Sequence, residues 1–158
     1  MKKIYAVYNG SFNYLEDIKI SPLSRAYTFS DSVYEVIPFF NFTAIAYKRH
    51  IHRLQNSCNA LGISINIEAI SSEIISLIKN SRLENGYIYY QISRGIDALR
   101  SHMYEDSLDE ETFGYAVEHN FNPQTFKVSL CADIRWQRCD IKSTSLLGNV
   151  LSMNQAKK

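Results

Sequence analysis

The spacing of hydrophobic residues changes partway along this chain, and the change limits the folds that the chain can adopt. Between residues 46 and 80 they recur at the three- and four-residue intervals of amphipathic helices. The segments on both sides are short, rich in β-branched and aromatic residues, and bounded by turn residues, as strands are. This order predicts a mixed α+β fold.

Two helices are predicted in the middle of the chain. The first begins near residue 46 and ends at Gly62. Its apolar face consists of Ile51, Leu54, Cys58 and Leu61. The second covers residues 67–80, and its apolar face consists of Ile70, Ile74, Ile75 and Ile78. A shorter helix is predicted over residues 146–156.

Strand-like composition occurs in five segments, at residues 4–8, 32–40, 87–93, 112–117 and 126–132. The first segment ends at Asn9-Gly10, a dipeptide that predicts a tight hairpin turn. Pro38 lies within the second segment and indicates an edge strand or a strand end, because proline cannot donate a ladder hydrogen bond.

The elements divide into two units. Residues 1–119 contain a complete small α+β domain, a sheet with two helices. Residues 120–125, which include Pro123, are predicted to be a linker. Residues 126–158 hold one strand and one helix, the start of a second domain.

Composition argues against several functional classes. The net charge is +1 and the charges are scattered, so the basic stripe of a nucleic-acid-binding protein is missing. No apolar stretch is long enough to span a bilayer, and the first apolar run stops too early for a secretory signal. The three cysteines are odd in number and none has CxxC spacing, which favours reduced thiols in the cytoplasm.

No metal site is predicted. His50 and His52 are two residues apart on a predicted helix and therefore do not share a face. An HExxH motif, a metal-spaced cysteine cluster and a glycine-rich phosphate loop are all missing from the sequence. Structural or surface roles are expected for both histidines.

Several short motifs follow one another in a defined order: Asp-Ser-Val-Tyr-Glu-Val at 31–36, His-Ile-His-Arg-Leu at 50–54, Tyr-Tyr-Gln-Ile-Ser-Arg-Gly at 89–95, Arg-Ser-His at 100–102 and Arg-Cys-Asp-Ile-Lys-Ser at 138–143. This series resembles the class IV, or fold-type IV, aminotransferases, which use pyridoxal 5′-phosphate. Within that family it looks most like the bacterial D-amino acid aminotransferases. The resemblance extends from residue 8 to residue 155 but covers only about the N-terminal half of a family member.

The resemblance implies roles for five residues. Lys142 falls on the lysine that forms the internal aldimine and moves the proton at the substrate Cα, so it must be neutral to act. Arg53 falls on the arginine that binds the cofactor phosphate, for which a guanidinium fork is well suited. Tyr34, Arg100 and His102 fall on the group that holds the substrate α-carboxylate. In the family the arginine and histidine reach in from the partner subunit, which implies a homodimer.

Each residue alone has a simpler interpretation. Tyr34 can be a core aromatic residue, His102 can cap a loop, Arg53 can cover an apolar helix face with its stem, and a lone lysine is usually exposed. The order of the motifs, rather than any one residue, favours the functional interpretation.

The sequence also departs from the family pattern. Ala26 and Ser30 stand where the family usually has glycine, and a positive φ at either position would cost about 1 kcal/mol. The segment between Gly95 and Arg100 is one residue longer than in the D-amino acid enzymes, which could displace Arg100 and His102. Residues 126–158 would be only the truncated start of the larger, cofactor-binding domain.

We therefore expect the N-terminal part of a D-amino acid transaminase, which moves an amino group between a D-amino acid such as D-alanine and a 2-oxo acid. We expect this chain to be incomplete and inactive on its own, with a second polypeptide as one source of the C-terminal half. Two alternatives stay open: a non-catalytic relic of a split or frameshifted gene, and part of an aminodeoxychorismate lyase. The Arg-Ser-His motif at 100–102 argues against the lyase, because it suits a small amino acid carboxylate.

Overall fold

A six-stranded antiparallel sheet forms the centre of the structure, a computed structural model that describes residues 3–156. The strands are β1 (Tyr5–Tyr8), β2 (Ser11–Tyr14), β3 (Ser32–Phe40), β4 (Thr43–Ala44), β5 (Gly86–Ser93) and β6 (Glu111–Glu118). Their order across the sheet is β2-β1-β6-β5-β3-β4, and every neighbouring pair is antiparallel. The α+β fold predicted from the sequence is confirmed.

The helices are α1 (Arg25–Phe29), α2 (Tyr47–Leu61), α3 (Ile67–Ser81) and α4 (Leu147–Gln155), with a 3-10 turn at Leu15–Asp17. The two predicted central helices, α2 and α3, are confirmed. Gly62 ends α2 in the left-handed conformation at φ 66°. The Asn66 side chain begins α3 by accepting hydrogen bonds from the backbone N–H groups of Glu68 and Ala69, both at 3.1 Å.

The hydrophobic core lies between α2, α3 and one face of the sheet. The helices contribute Leu54, Cys58, Ile70, Ile74, Leu77 and Ile78, all buried. The strands contribute Val7, Val33, Ile37, Phe39, Ile88, Tyr90 and Ile92. Alternate residues of β3 and β5 face this core, as the period of two in a strand requires.

The turn and edge predictions are also confirmed. Asn9 and Gly10 both have positive φ, 45° and 76°, and join β1 to β2 as a hairpin. Pro38 lies in β3, which pairs with β5 along its length but with β4 only at Phe39 and Phe40. Most of β3 therefore has one unpaired edge, where proline is tolerated.

The strand predicted at residues 126–132 is wrong. This segment has no regular structure, and the side chains of Phe126, Val128 and Leu130 are exposed. A strand requires a neighbouring strand for its backbone hydrogen bonds, and within residues 3–156 no segment pairs with this one. The apolar alternation indicated strand composition but not a pairing partner.

The final helix, α4, is confirmed over Leu147–Gln155, although none of its residues is buried. Three short elements, β2, β4 and α1, were not predicted. The division into domains at 1–119 and 126–158, with a linker at 120–125, stays a prediction. Within residues 3–156, no helix is both long and apolar enough to cross a membrane.

Candidate active site

The unpaired edge of β3 holds the segment that carries Lys142. Ser143 forms an isolated antiparallel bridge with Val33, and Tyr34 N–H donates to the Lys142 carbonyl at 3.0 Å. The Lys142 N–H in turn donates to Ser57 Oγ of α2 at 3.2 Å. The Lys142 backbone is therefore attached to both the sheet and the helix layer, which fixes where its side chain begins.

The Lys142 side chain packs against Tyr34. Its Nζ lies 3.9 Å from the centroid of the Tyr34 ring, within cation–π distance. Tyr34 stacks on Tyr89 with 5.6 Å between centroids, and Tyr89 stacks on Tyr115 at 5.2 Å. Burial raises the pKa of Tyr89, so this supporting ring carries a neutral hydroxyl at physiological pH. The lysine amine rests on an aromatic row across the sheet.

Arg53 reaches the same site from α2 and is held by Glu35. Arg53 Nε donates to Glu35 Oε1 at 2.5 Å, and Nη2 donates to Oε2 at 2.6 Å. These hydrogen bonds raise the pKa of Arg53. His50 Nδ1 also lies 2.7 Å from Glu35 Oε2. The Glu35 side chain is fully buried, whereas the Arg53 side chain is half exposed, so the outer part of the guanidinium faces solvent.

Tyr34, Arg53 and Lys142 line one pocket of about 260 Å³, whose other walls come from residues 135–149. Within the described chain, Arg53 Nη1 makes no hydrogen bond, so its N–H groups can donate to a bound anion. A primary amine and a guanidinium fit the aldehyde and phosphate of pyridoxal phosphate. The pocket also contains Asp140, whose carboxylate is paired with Arg138 at 2.9 and 3.0 Å.

Arg100 and His102 lie elsewhere, in the exposed segment that connects β5 to β6. The Arg100 guanidinium lies 4.5 Å from the Phe29 ring centroid, and the His102 ring lies 5.3 Å from it. The structure therefore brings these two residues together around Phe29. Neither lines the pocket of Tyr34 and Lys142, and a contribution from a partner subunit stays a prediction.

Sequence reasoning did not identify Glu35 and Ser57. A signal for Glu35 was present, because His50 and Arg53 are three residues apart on one helix and share a face. An acidic side chain on the neighbouring strand can pair with both groups. Nothing in the sequence distinguished Ser57 from an ordinary helix serine. Among residues 3–156, no group of three His, Cys, Asp or Glu side chains is arranged to hold a metal ion.

The sequence of this chain matches a known protein family. The model of the family described as amino-transferase class IV matches residues 32–158. A D-alanine aminotransferase from Staphylococcus aureus (strain MSSA476) is 33% identical over 165 aligned positions, which cover 100% of this chain and 57% of that protein. The chain thus spans little more than half the length of this relative.

Solved structures share the fold. A branched-chain aminotransferase from the archaeon Thermoproteus uzoniensis matches 98% of this chain and 56% of its own, with a TM-score of 0.85 and 15% identity. A branched-chain amino acid aminotransferase from Escherichia coli matches 75% of this chain and 42% of its own, with a TM-score of 0.68 and 20% identity. A 4-amino-4-deoxychorismate lyase from Pseudomonas aeruginosa matches 95% of this chain and 56% of its own, with a TM-score of 0.75 and 17% identity.

Proposed function

The chain belongs to the class IV aminotransferase family, and from this premise we propose that it carries the reactive lysine and the phosphate-binding arginine of a pyridoxal-phosphate-dependent D-amino acid aminotransferase. Such an enzyme moves an amino group between a D-amino acid, D-alanine being the first candidate, and a 2-oxo acid. The observation that carries the proposal is that Lys142 and Arg53 open into one pocket beside Tyr34. The 33% identity to a D-alanine aminotransferase supports the substrate class.

The bound cofactor would supply an electrophilic carbon and a ring that accepts electrons. Lys142 would hold the cofactor through its amine, and once the substrate amine has replaced it there, the free neutral Nζ would take and return the proton at the substrate Cα. The Tyr34 ring, 3.9 Å from Nζ, limits the positions that the amine can occupy. Arg53 would bind the phosphate through the part of its guanidinium that Glu35 leaves unbonded.

The substrate α-carboxylate would be held by Tyr34 together with Arg100 and His102. Because the last two lie around Phe29 and away from the pocket, their contribution requires a second copy of the chain. We therefore propose a homodimer. Since the chain covers 57% of the Staphylococcus aureus relative, further residues of the site are proposed to come from sequence that corresponds to the rest of that protein.

Covalent labelling tests the assignment of Lys142. The chain is incubated with one equivalent of pyridoxal phosphate, reduced with borohydride and digested, and the pyridoxyl-bearing peptide is identified by mass spectrometry. The label is expected on Lys142 in preference to Lys127, an exposed lysine in the preceding segment. Lys142→Arg should remove this label and Lys127→Arg should leave it unchanged. Equal labelling of the two lysines in the native chain would contradict the proposal.

An activity assay tests the substrate class. The chain is assayed with D-alanine and 2-oxoglutarate, alone and mixed with the part of the Staphylococcus aureus enzyme that lies beyond the matched region. Pyruvate is expected in the mixture and should depend on Lys142. The lyase fold neighbour, at 17% identity, supports only the shared fold. Pyruvate release from aminodeoxychorismate but not from D-alanine would favour the lyase, and Lys142-independent turnover would contradict both enzymatic assignments.

A further inference from the structure

Arg25 is a buried arginine whose side chain contacts the backbone of the segment between Arg100 and His102. Its Nη1 donates to the Ser101 carbonyl at 2.8 Å and to Asp97 Oδ2 at 3.1 Å, while its Nε donates to Asp31 Oδ2 at 2.9 Å. The residue is 3% exposed. One guanidinium therefore connects three points of the chain, two of which belong to the segment of residues 97–104.

Asp31, on the other side of Arg25, precedes β3 and therefore Tyr34. It also accepts hydrogen bonds from Arg94, Nε to Oδ2 at 2.8 Å and Nη2 to Oδ1 at 3.1 Å. Arg94 is itself fixed by the Leu61 carbonyl at 2.7 Å, at the end of α2. Asp31, which binds Arg25, is thus attached to β3 through the chain and to the end of α2 through Arg94.

Aromatic rings complete the attachment of the segment. The Phe29 ring has the Arg25 guanidinium at 4.7 Å and the Arg100 guanidinium at 4.5 Å. The Tyr104 ring lies 3.7 Å from the Arg94 guanidinium and 5.4 Å from that of Arg25. Residues 97–104 contain no helix or strand, so these side chains take the place of a backbone ladder.

We infer that Arg25 is a positioning residue for the carboxylate-binding segment, which it holds in one conformation through the Ser101 carbonyl. The role of Arg100 and His102 toward a carboxylate rests on the proposed function, but the rigidity of the segment does not. Donors that are held in place before the ligand arrives lose less conformational entropy when it binds. Removing the Ser101 contact should therefore weaken substrate binding more than it slows turnover.

Limited proteolysis tests the positioning role in the native chain. Arg25→Lys keeps the charge but cannot bond Asp31, Asp97 and the Ser101 carbonyl together, because it lacks the planar fork. We expect trypsin to cleave after Arg100 at least about tenfold faster, with hydrogen exchange in β5 and β6 unchanged. Arg49→Lys, at an exposed position of α2, is the matched control and should change neither.

Asp97→Asn provides a second variant that leaves the Arg25–Asp31 pair intact and loosens the same segment. Faster cleavage after Arg100 in either variant, without faster hydrogen exchange in the sheet, supports the inference. Unchanged cleavage, or faster cleavage accompanied by faster exchange throughout the sheet, would overturn it, since the latter indicates a general loss of stability.

Kinetics in the reconstituted mixture with D-alanine separate this inference from the proposed function. Arg25→Lys should raise the KM for D-alanine and 2-oxoglutarate about tenfold and change kcat by less than about threefold. An equal fall in kcat with no change in KM would overturn the positioning role. Absence of activity in the native mixture would count against the proposed function, and limited proteolysis would still decide the role of Arg25.

Discussion

The Arg53 guanidinium lies against the Glu35 carboxylate through two hydrogen bonds, Nε to Oε1 at 2.5 Å and Nη2 to Oε2 at 2.6 Å. Glu35 is fully buried in β3, whereas Arg53 is half exposed on α2. The Glu35 carboxylate therefore fixes the orientation of the Arg53 guanidinium. It also contacts His50 Nδ1 at 2.7 Å. Replacing the buried Glu35 carboxylate with a neutral group should therefore lower the stability of the chain.

Glu35→Gln should destabilise the chain by about 1–3 kcal/mol. The amide keeps the shape of the side chain but can no longer accept charge-assisted hydrogen bonds at both oxygens. The loss stays below that of a fully buried pair, because the half-exposed Arg53 can regain hydration. Urea unfolding at neutral pH measures the change. Glu84→Gln, at an exposed position, is the control and should shift the free energy of unfolding by less than about 0.5 kcal/mol.

Asp31 makes the stability of the chain sensitive to acid. Burial opposes ionisation of its carboxyl group, but hydrogen bonds from Arg94 and Arg25 outweigh burial and lower the pKa below its ordinary value. A group whose pKa is lower in the folded state stabilises the fold above its unfolded pKa of about 3.9. That contribution is lost as the pH falls through the folded value.

The expected result is that native chain and Asp31→Asn differ most in their free energy of unfolding between about pH 5 and 7, and that the difference shrinks below about pH 4. Urea titrations across this range measure it. Asp106→Asn, at an exposed position, is the control and should change the free energy of unfolding by less than about 0.5 kcal/mol at each pH. A difference for Asp31→Asn that is independent of pH would show that the aspartate is not the titrating group.

The two central helices were predictable because their signals are local. A period of 3.6, a glycine at the end of α2 and an asparagine before α3 are all read from neighbouring residues. The segment 126–132 has an equally local strand signal, yet it forms none, since pairing depends on what lies beside it. Local composition can indicate that a segment favours the strand conformation, but it does not show whether another strand lies beside it to pair with.

The site shows the same limit. Tyr34, Arg53 and Lys142 are far apart in sequence, and only the family resemblance suggested that they belong together. Glu35 was missed because an acid in a strand of alternating residues is normally expected to face solvent, and its two basic partners come from a separate helix. A side chain that acts by holding another is specified by tertiary contacts and has no motif of its own.

The three cysteines should react at very different rates. Burial raises the pKa of Cys58 from 9.0 to about 12, with a smaller contribution from the charge of Glu110, whereas Cys131 and Cys139 are exposed. Because the thiolate is the reactive form, Cys58 should react far more slowly than the two exposed thiols. A disulfide reagent at pH 8 should therefore titrate two thiols in the native chain and the third only in urea. Rapid reaction of all three would show that α2 opens readily.

Ser30 adopts a backbone conformation that suits glycine, whereas Ala26 does not, although the family usually has glycine at both positions. Ser30 ends α1 in the left-handed region, at φ 54° and ψ 30°, and Ala26 lies inside the helix. A non-glycine residue in that region is strained by Cβ contacts that glycine lacks. Ser30→Gly should therefore stabilise the chain by about 0.5–1 kcal/mol, the strain being partly offset by the greater freedom of glycine in the unfolded state.

Ala26→Gly is the matched substitution four residues earlier on the same helix. It adds the same unfolded-state freedom but relieves no strain, so it should destabilise the chain by about 0.5–1 kcal/mol. The two substitutions should change the free energy of unfolding in opposite directions. This difference distinguishes the relief of backbone strain at Ser30 from a general effect of introducing glycine into this segment. Thermal and urea unfolding of the two variants measure both changes, and a loss of stability in Ser30→Gly would mean that its hydroxyl or Cβ contributes more than the strain costs. In that case the serine is an adaptation that stabilises the turn into β3, and the positive φ is tolerated for the sake of the contacts around it.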